Sequence, residues 1–152
     1  MNRRILRISF ALSLAIVLLL TLAACGASSP LTMEEFTEII KKEGYTITND
    51  APGRYNDGVL TAVQATGPGV EFAIEFYVFS SIDKAKETSR AIDKNLNARA
   101  GTKVRTSGKY FRLTSKGMFY FASRADSTLV YVETEDSNKD AVSEILKTLG
   151  YW

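Results

Sequence analysis

The chain has 152 residues, with 19 Lys and Arg against 17 Asp and Glu, no histidine and a single cysteine. That length supports one hydrophobic core and excludes two well-buried domains. The lack of imidazole excludes Ser-His and Cys-His nucleophile systems and the commonest metal ligand, and one cysteine excludes an intramolecular disulfide or a thiolate metal site.

Arg3, Arg4 and Arg7 precede an apolar run from Phe10 to Leu22, and Ser9 and Ser13 interrupt the segment. A spanning helix needs about 20 apolar residues. A shorter run behind a basic start, ending in small residues, is the pattern of a cleaved export signal. The four residues Leu22-Ala23-Ala24-Cys25 resemble the lipobox of bacterial lipoproteins. That resemblance implies acylation of the Cys25 thiol, cleavage just before it, and a mature chain that begins there. Residues 1–24 are therefore expected to be a lipoprotein signal peptide, 25–30 a lipidated cysteine and tether, and 31–152 a single α+β domain. Several acyl chains anchor durably where one does not, and Gly26-Ala27-Ser28-Ser29-Pro30 reads as a short flexible spacer. Leu14, Val17 and Leu18 then need no place in the domain core. Loss of the three arginines of the signal changes the formal charge from +2 to −1, unlike a nucleic-acid binder, which would be more basic.

After Pro30 the first predicted helix opens at Thr32, with Glu35 closing a capping box and Leu31 placed to staple onto Phe36. Phe36, Ile39 and Ile40 share one face, and Gly44 supplies the left-handed cap. A short strand over Tyr45 to Thr48 follows. Val59 to Ala65 is predicted to pair, across the turn Thr66-Gly67-Pro68-Gly69, with a strand from Val70 to Phe79 that buries one face. The second helix starts near Ser80 or Ser81, carries Ile82, Ala85, Ile92 and Leu96 on one stripe, and ends before Gly101. Lys109 to Ser115, Met118 to Ser123 and Leu129 to Thr134, separated by Lys116-Gly117 and Asp126-Ser127, form a meander. The third helix opens at Ser137 with Asp140 at its box position and buries Val142, Ile145, Leu146 and Leu149. The expected fold is α+β, an antiparallel sheet of about six strands covered by three helices in the order α-βββ-α-βββ-α, with the helices on one side.

The segments ending Lys42-Glu43-Gly44-Tyr45 and Thr148-Leu149-Gly150-Tyr151 echo each other. Duplication would produce this; so would two amphipathic helices each closed by a Gly cap, which is the simpler reading. Taken together, the lipobox, a helix ending Glu-Gly-Tyr, the strand Glu71 to Phe79, the segment Thr128 to Glu133 and a last helix ending Leu-Gly-Tyr resemble the small uncharacterised lipoproteins of Gram-positive bacteria. The resemblance spans nearly the whole mature chain and implies a lipid-anchored domain on the extracytoplasmic face of the cell membrane. It carries over no catalytic or ligand residue beyond the lipidated Cys25.

No residue pattern predicts a catalytic site, cofactor or metal. Glu71 and Glu75 share a strand face, which reads as the solvated side of that strand and leaves carboxylate-only catalysis as the alternative. Gly67-Pro68-Gly69 has no following helix or Lys-Ser/Thr and reads as a turn. From Lys94 to Arg124 there are basic residues and no acidic one, a bias suited to anionic lipid or wall polymer, or simply to a solvated surface balanced by Glu133 to Asp140. Two-residue hairpin turns set Leu113 opposite Tyr120, Phe111 opposite Ala122 and Ala122 opposite Tyr131, with Phe119, Phe121, Val130 and Val132 on the other face. With helices on that other face, the tyrosine side is the expected open one, and Lys109, Phe111, Leu113, Tyr120, Arg124 and Tyr131 form the candidate binding patch. The expected function is a non-catalytic binding or interaction module, held to the membrane through Cys25 and meeting a protein or cell-envelope ligand but no nucleic acid. The alternatives are a carboxylate-dependent extracellular enzyme or a small inhibitor of secreted enzymes.

Overall fold

The computed structural model describes residues 30–48, 55–67, 69, 72–106 and 110–152. The expectations for residues 1–29 and for Val70, Glu71 and Lys109 lie outside them. Helix α1, Met33–Lys42, begins as its sequence dictates: Glu35 N–H donates to Thr32 Oγ1 at 3.1 Å and Thr32 N–H donates to Glu35 Oε2 at 2.8 Å. At its other end Gly44 takes φ 84°, Gly44 N–H donates to the Lys41 carbonyl, and Tyr45 N–H donates to the Ile40 carbonyl. This paired closure satisfies two carbonyls that a helix end otherwise leaves bare.

Strands β1 (Thr46–Thr48), β2 (Val59–Thr66) and β3 (Ala73–Phe79) form an antiparallel meander. Helix α2, Ile82–Asn97, is capped by Ser81, whose Oγ accepts from Lys84 N–H at 3.2 Å. It carries the chain from the middle of the sheet to its far edge, where β4 (Thr102–Thr106) begins. Strands β5 (Tyr110–Ser115), β6 (Met118–Ala125) and β7 (Thr128–Glu135) then return by hairpins, and β7 pairs with β3. The result is one antiparallel sheet of seven strands in the order β1-β2-β3-β7-β6-β5-β4. A 3-10 turn over Asp136–Asn138 leads into α3, Lys139–Thr148.

The α+β class, the single antiparallel sheet and the three helices match expectation, as do the hairpin registers, whereas the strand count does not. Strand β4, Thr-Lys-Val-Arg-Thr, is the extra one; its one apolar residue gives no alternation to detect, and it forms by pairing along β5 at the sheet edge. The last helix also starts differently. No side chain caps α3, and Asn138 instead donates Nδ2–H to Thr134 Oγ1 at 2.9 Å, fastening the preceding turn to β7.

The larger correction concerns the faces of the sheet, which are both covered. Phe36 and Ile40 of α1 and Val142, Ile145 and Leu146 of α3 pack with Ile74, Phe76, Phe119, Phe121, Val130 and Val132. On the opposite face Ala85, Ile92 and Leu96 of α2 pack with Tyr77, Phe79, Phe111, Leu113, Tyr120, Leu129 and Tyr131. Consequently β3 buries both faces rather than one, and its Glu75 is not on a solvated side. Ile82, expected on the buried stripe of α2, is 45% exposed; it is the first residue of the helix, and the buried stripe begins one turn later at Ala85.

Tyr151 joins the two ends of the described chain. Its hydroxyl lies 2.5 Å from Thr128 Oγ1 and also meets a backbone group of Leu31. Burial pushes this phenol up to about 12, against the opposing effect of those hydrogen bonds. The folded state therefore holds the proton more tightly than the unfolded chain. The resulting stability is fully present below the ordinary phenol value of about 10 and is lost as pH rises through the folded value. Chemical unfolding followed from neutral to alkaline pH is expected to show a loss of about 2–3 kcal/mol attributable to this group. Tyr151→Phe should flatten that slope, and an unchanged slope in the variant would assign the alkaline loss to other groups.

Candidate functional site

The strand registers place the predicted patch residues on one face, as expected: Leu113 lies opposite Tyr120, Phe111 opposite Ala122, and Ala122 opposite Tyr131. That face is nevertheless not open. Tyr120 is 5% exposed and Tyr131 3%, while Phe111 and Leu113 are equally buried, all beneath α2. The cause is the path of α2, whose own apolar stripe has to be buried and finds its partner in this face. Arg124 is half-buried, with Nη1–H donating to the Asp126 carbonyl at 2.9 Å, and so serves its own hairpin turn. These side chains belong to a core and do not form a surface patch.

The same face holds a polar cluster that alternation alone did not reveal. Glu75, 5% exposed, accepts a hydrogen bond from the Tyr77 hydroxyl at 2.5 Å. On the neighbouring strand the Tyr131 hydroxyl donates to Glu133 Oε2 at 3.2 Å. Glu75 stands directly opposite Tyr131 in the register. Tyr55 sets its ring edge-on to both phenols, with centroids 5.7 Å from Tyr77 and 6.0 Å from Tyr131. Farther along, the Arg99 guanidinium sits 4.6 Å above the Tyr120 ring. A phenol donating to a buried carboxylate offsets part of the cost of desolvating it. The sequence signal was the density of tyrosine on strands that also carry Glu.

The basic stretch divides between locations. Lys103 Nζ donates to the Asn97 carbonyl at 2.6 Å, closing the connection after α2. Arg112 lies on the other sheet face, 5.4 Å above the Trp152 ring, which in turn stacks on Phe121. The acidic stretch runs alongside: Glu135 pairs with Met118, Glu133 with Tyr120, and Thr114 Oγ1 donates to Asp136 Oδ1. Among the described residues, Lys103, Arg112 and Arg124 thus serve different parts of the fold, and the acidic stretch runs beside β5 and β6. Among the described residues no group of three or more Asp, Glu, His or Cys is placed to hold a metal ion, and no helix is long and apolar enough to cross a membrane.

No protein-family model matches the chain, and no curated protein matches it. Among solved structures, a GTP binding regulator from Thermotoga maritima aligns at 16% identity and a TM-score of 0.45, covering 78% of this chain and 87% of its own. A likeness at that score assigns neither a fold family nor a function.

Proposed function

We propose that this chain is a membrane-anchored extracytoplasmic lipoprotein, whose folded part is a non-catalytic module that binds a protein or cell-envelope ligand. The observation that carries the proposal is the lipobox Leu22 to Cys25 behind a basic and apolar segment. Two structural features support it. The domain starts at a self-sealed helix cap on Thr32, within a few residues of Cys25. Among the described residues, each face of the sheet carries a buried cluster built with the domain's own helices. The lack of histidine and the assignment of the one cysteine to the anchor support a binding role over a catalytic one.

Cys25→Ser is expected to abolish incorporation of labelled fatty acid and to release the chain from the membrane fraction, with thermal unfolding of the domain unchanged. Equal labelling and equal membrane retention in the variant would overturn the proposal.

A further inference from the structure

The sheet has two unlike ends, and one of them receives the tether. Leu31 meets the Tyr151 hydroxyl, which contacts Thr128 in the first position of β7. Thr128 pairs with Val78 near the end of β3 and with Ala125 at the end of β6. Val59, at the start of β2, lies opposite Phe79, and the Ser80 N–H donates to the Gly58 carbonyl. The start of α2, the start of β2, the turn Asp126-Ser127 and Leu31 therefore share this end. The Lys116-Gly117 turn and Thr102 mark the opposite one.

The large apolar side chains left exposed among the described residues are Leu60, at 69%, and Ile82, at 45%. Both lie at the tether end. Single exposed apolar residues are ordinary on a protein surface, but these two lie at the same end of the sheet as Leu31, from which the chain leads back to Cys25. From Cys25 to Pro30 the backbone spans at most about 20 Å even when fully extended. Acyl chains on Cys25 thus hold this end, and not the other, within contact distance of the lipid. Half-buried Tyr110 and Trp152 lie toward the same end, and their ring types favour the membrane–water boundary.

From this convergence we propose that Leu60 and Ile82 rest in the interfacial layer of the bilayer, so that the domain is held at a fixed orientation instead of swinging on its tether. The inference rests on the acylation of Cys25 proposed above. The contact uses the two apolar side chains and no free cation: Lys84 is already engaged by Asp57 at 2.7 Å and by Glu87 at 3.2 Å, and the carboxylates of Asp57 and Asp83 nearby in the chain are exposed. It therefore does not require anionic lipid, and the occupant is a neutral bilayer surface.

Trp152 is the only tryptophan, which permits a direct test. In a Trp152→Phe background, Leu60→Trp, Ile82→Trp and Thr102→Trp each place one fluorophore, the last at the far end. The acylated full-length mature proteins are inserted in phosphatidylcholine vesicles with and without brominated acyl chains. Reporters at 60 and 82 are expected to emit at shorter wavelength and lose intensity with brominated lipid, while the reporter at 102 stays unquenched and open to acrylamide. Acylated, vesicle-bound protein with no quenching at 60 or 82, or with equal quenching at all three sites, would overturn the orientation and leave the anchor standing. Absence of acyl chains on Cys25 would overturn both. Leu60, Ile82 and Thr102 are exposed, and Trp152→Phe keeps an aromatic ring against Phe121, so the fold should tolerate the changes; an unfolding curve for each variant verifies it.

Discussion

Tyr131→Ala is expected to lower the stability of the domain by about 3–5 kcal/mol, the usual cost of truncating a buried aromatic. The ring is 3% exposed, packs beneath α2, meets the Tyr55 ring edge-on and donates its hydroxyl to Glu133. Its removal opens a void between sheet and helix and strips Glu133 of a donor. Urea unfolding measures the loss directly. A change below about 1 kcal/mol would mean that this face is open to solvent, because surface truncations away from such features stay that small. Tyr131→Phe separates the contributions: it keeps the ring and is expected to cost about 1–2 kcal/mol through the hydroxyl alone.

The other face is tested by Phe76→Ala, for which a loss of about 3–5 kcal/mol is again expected. Phe76 is fully buried and stacks on Phe36 of α1 with centroids 4.3 Å apart and planes 4° from parallel, while Tyr151 approaches it edge-on at 6.2 Å. Truncation therefore loosens α1 and the segment after α3 together. Amide exchange should show the loss first in α1, which has ten residues and depends on this packing because helices of that length are marginal alone. Protection of α1 unchanged in the variant would show that another contact holds it. A single sheet with two cores predicts that each substitution, on its own face, is severe.

How much of this was legible from the residues depended on the range of the physics involved. Local devices were readable: the Thr32–Glu35 box, the Ser81 cap and the glycine closures after both α1 and α3 all form where residue type demands. The two closures use the same pair of hydrogen bonds, with Gly150 N–H donating to Lys147 and Tyr151 N–H to Leu146, the common geometry behind the echo between the segments. Registers were readable too, since Lys116 and Gly117 both take positive φ, the requirement of a two-residue hairpin turn. The side of the sheet on which α2 lies was not decided by any local feature. Yet a signal existed: Tyr77 and Phe79 put two large aromatic rings on the second face of β3 beside Glu75, and a strand with large apolar groups on both faces is a strand covered on both. Strand β4 was hidden for a different reason, because a polar edge strand is specified by its neighbour rather than by its own pattern.

Glu75, whose alternation with apolar neighbours predicts a solvated carboxylate, is buried because that face of the strand is covered. Its Tyr77 partner sits two positions along the same strand, a spacing that places both side chains on one face. Tyr77 also packs in the cluster that holds α2, so the pair links the buried carboxylate to that packing.

An acyl anchor on Cys25, as proposed, would set both where the domain works and which of its ends meets the lipid. The most direct measurement is the intact mass of the chain extracted from membranes of the producing cell. The account predicts a chain that begins at Cys25, lacks residues 1–24 and carries the added mass of acyl groups on that residue. An unacylated chain that retains residues 1–24, with a free thiol at position 25, would contradict it.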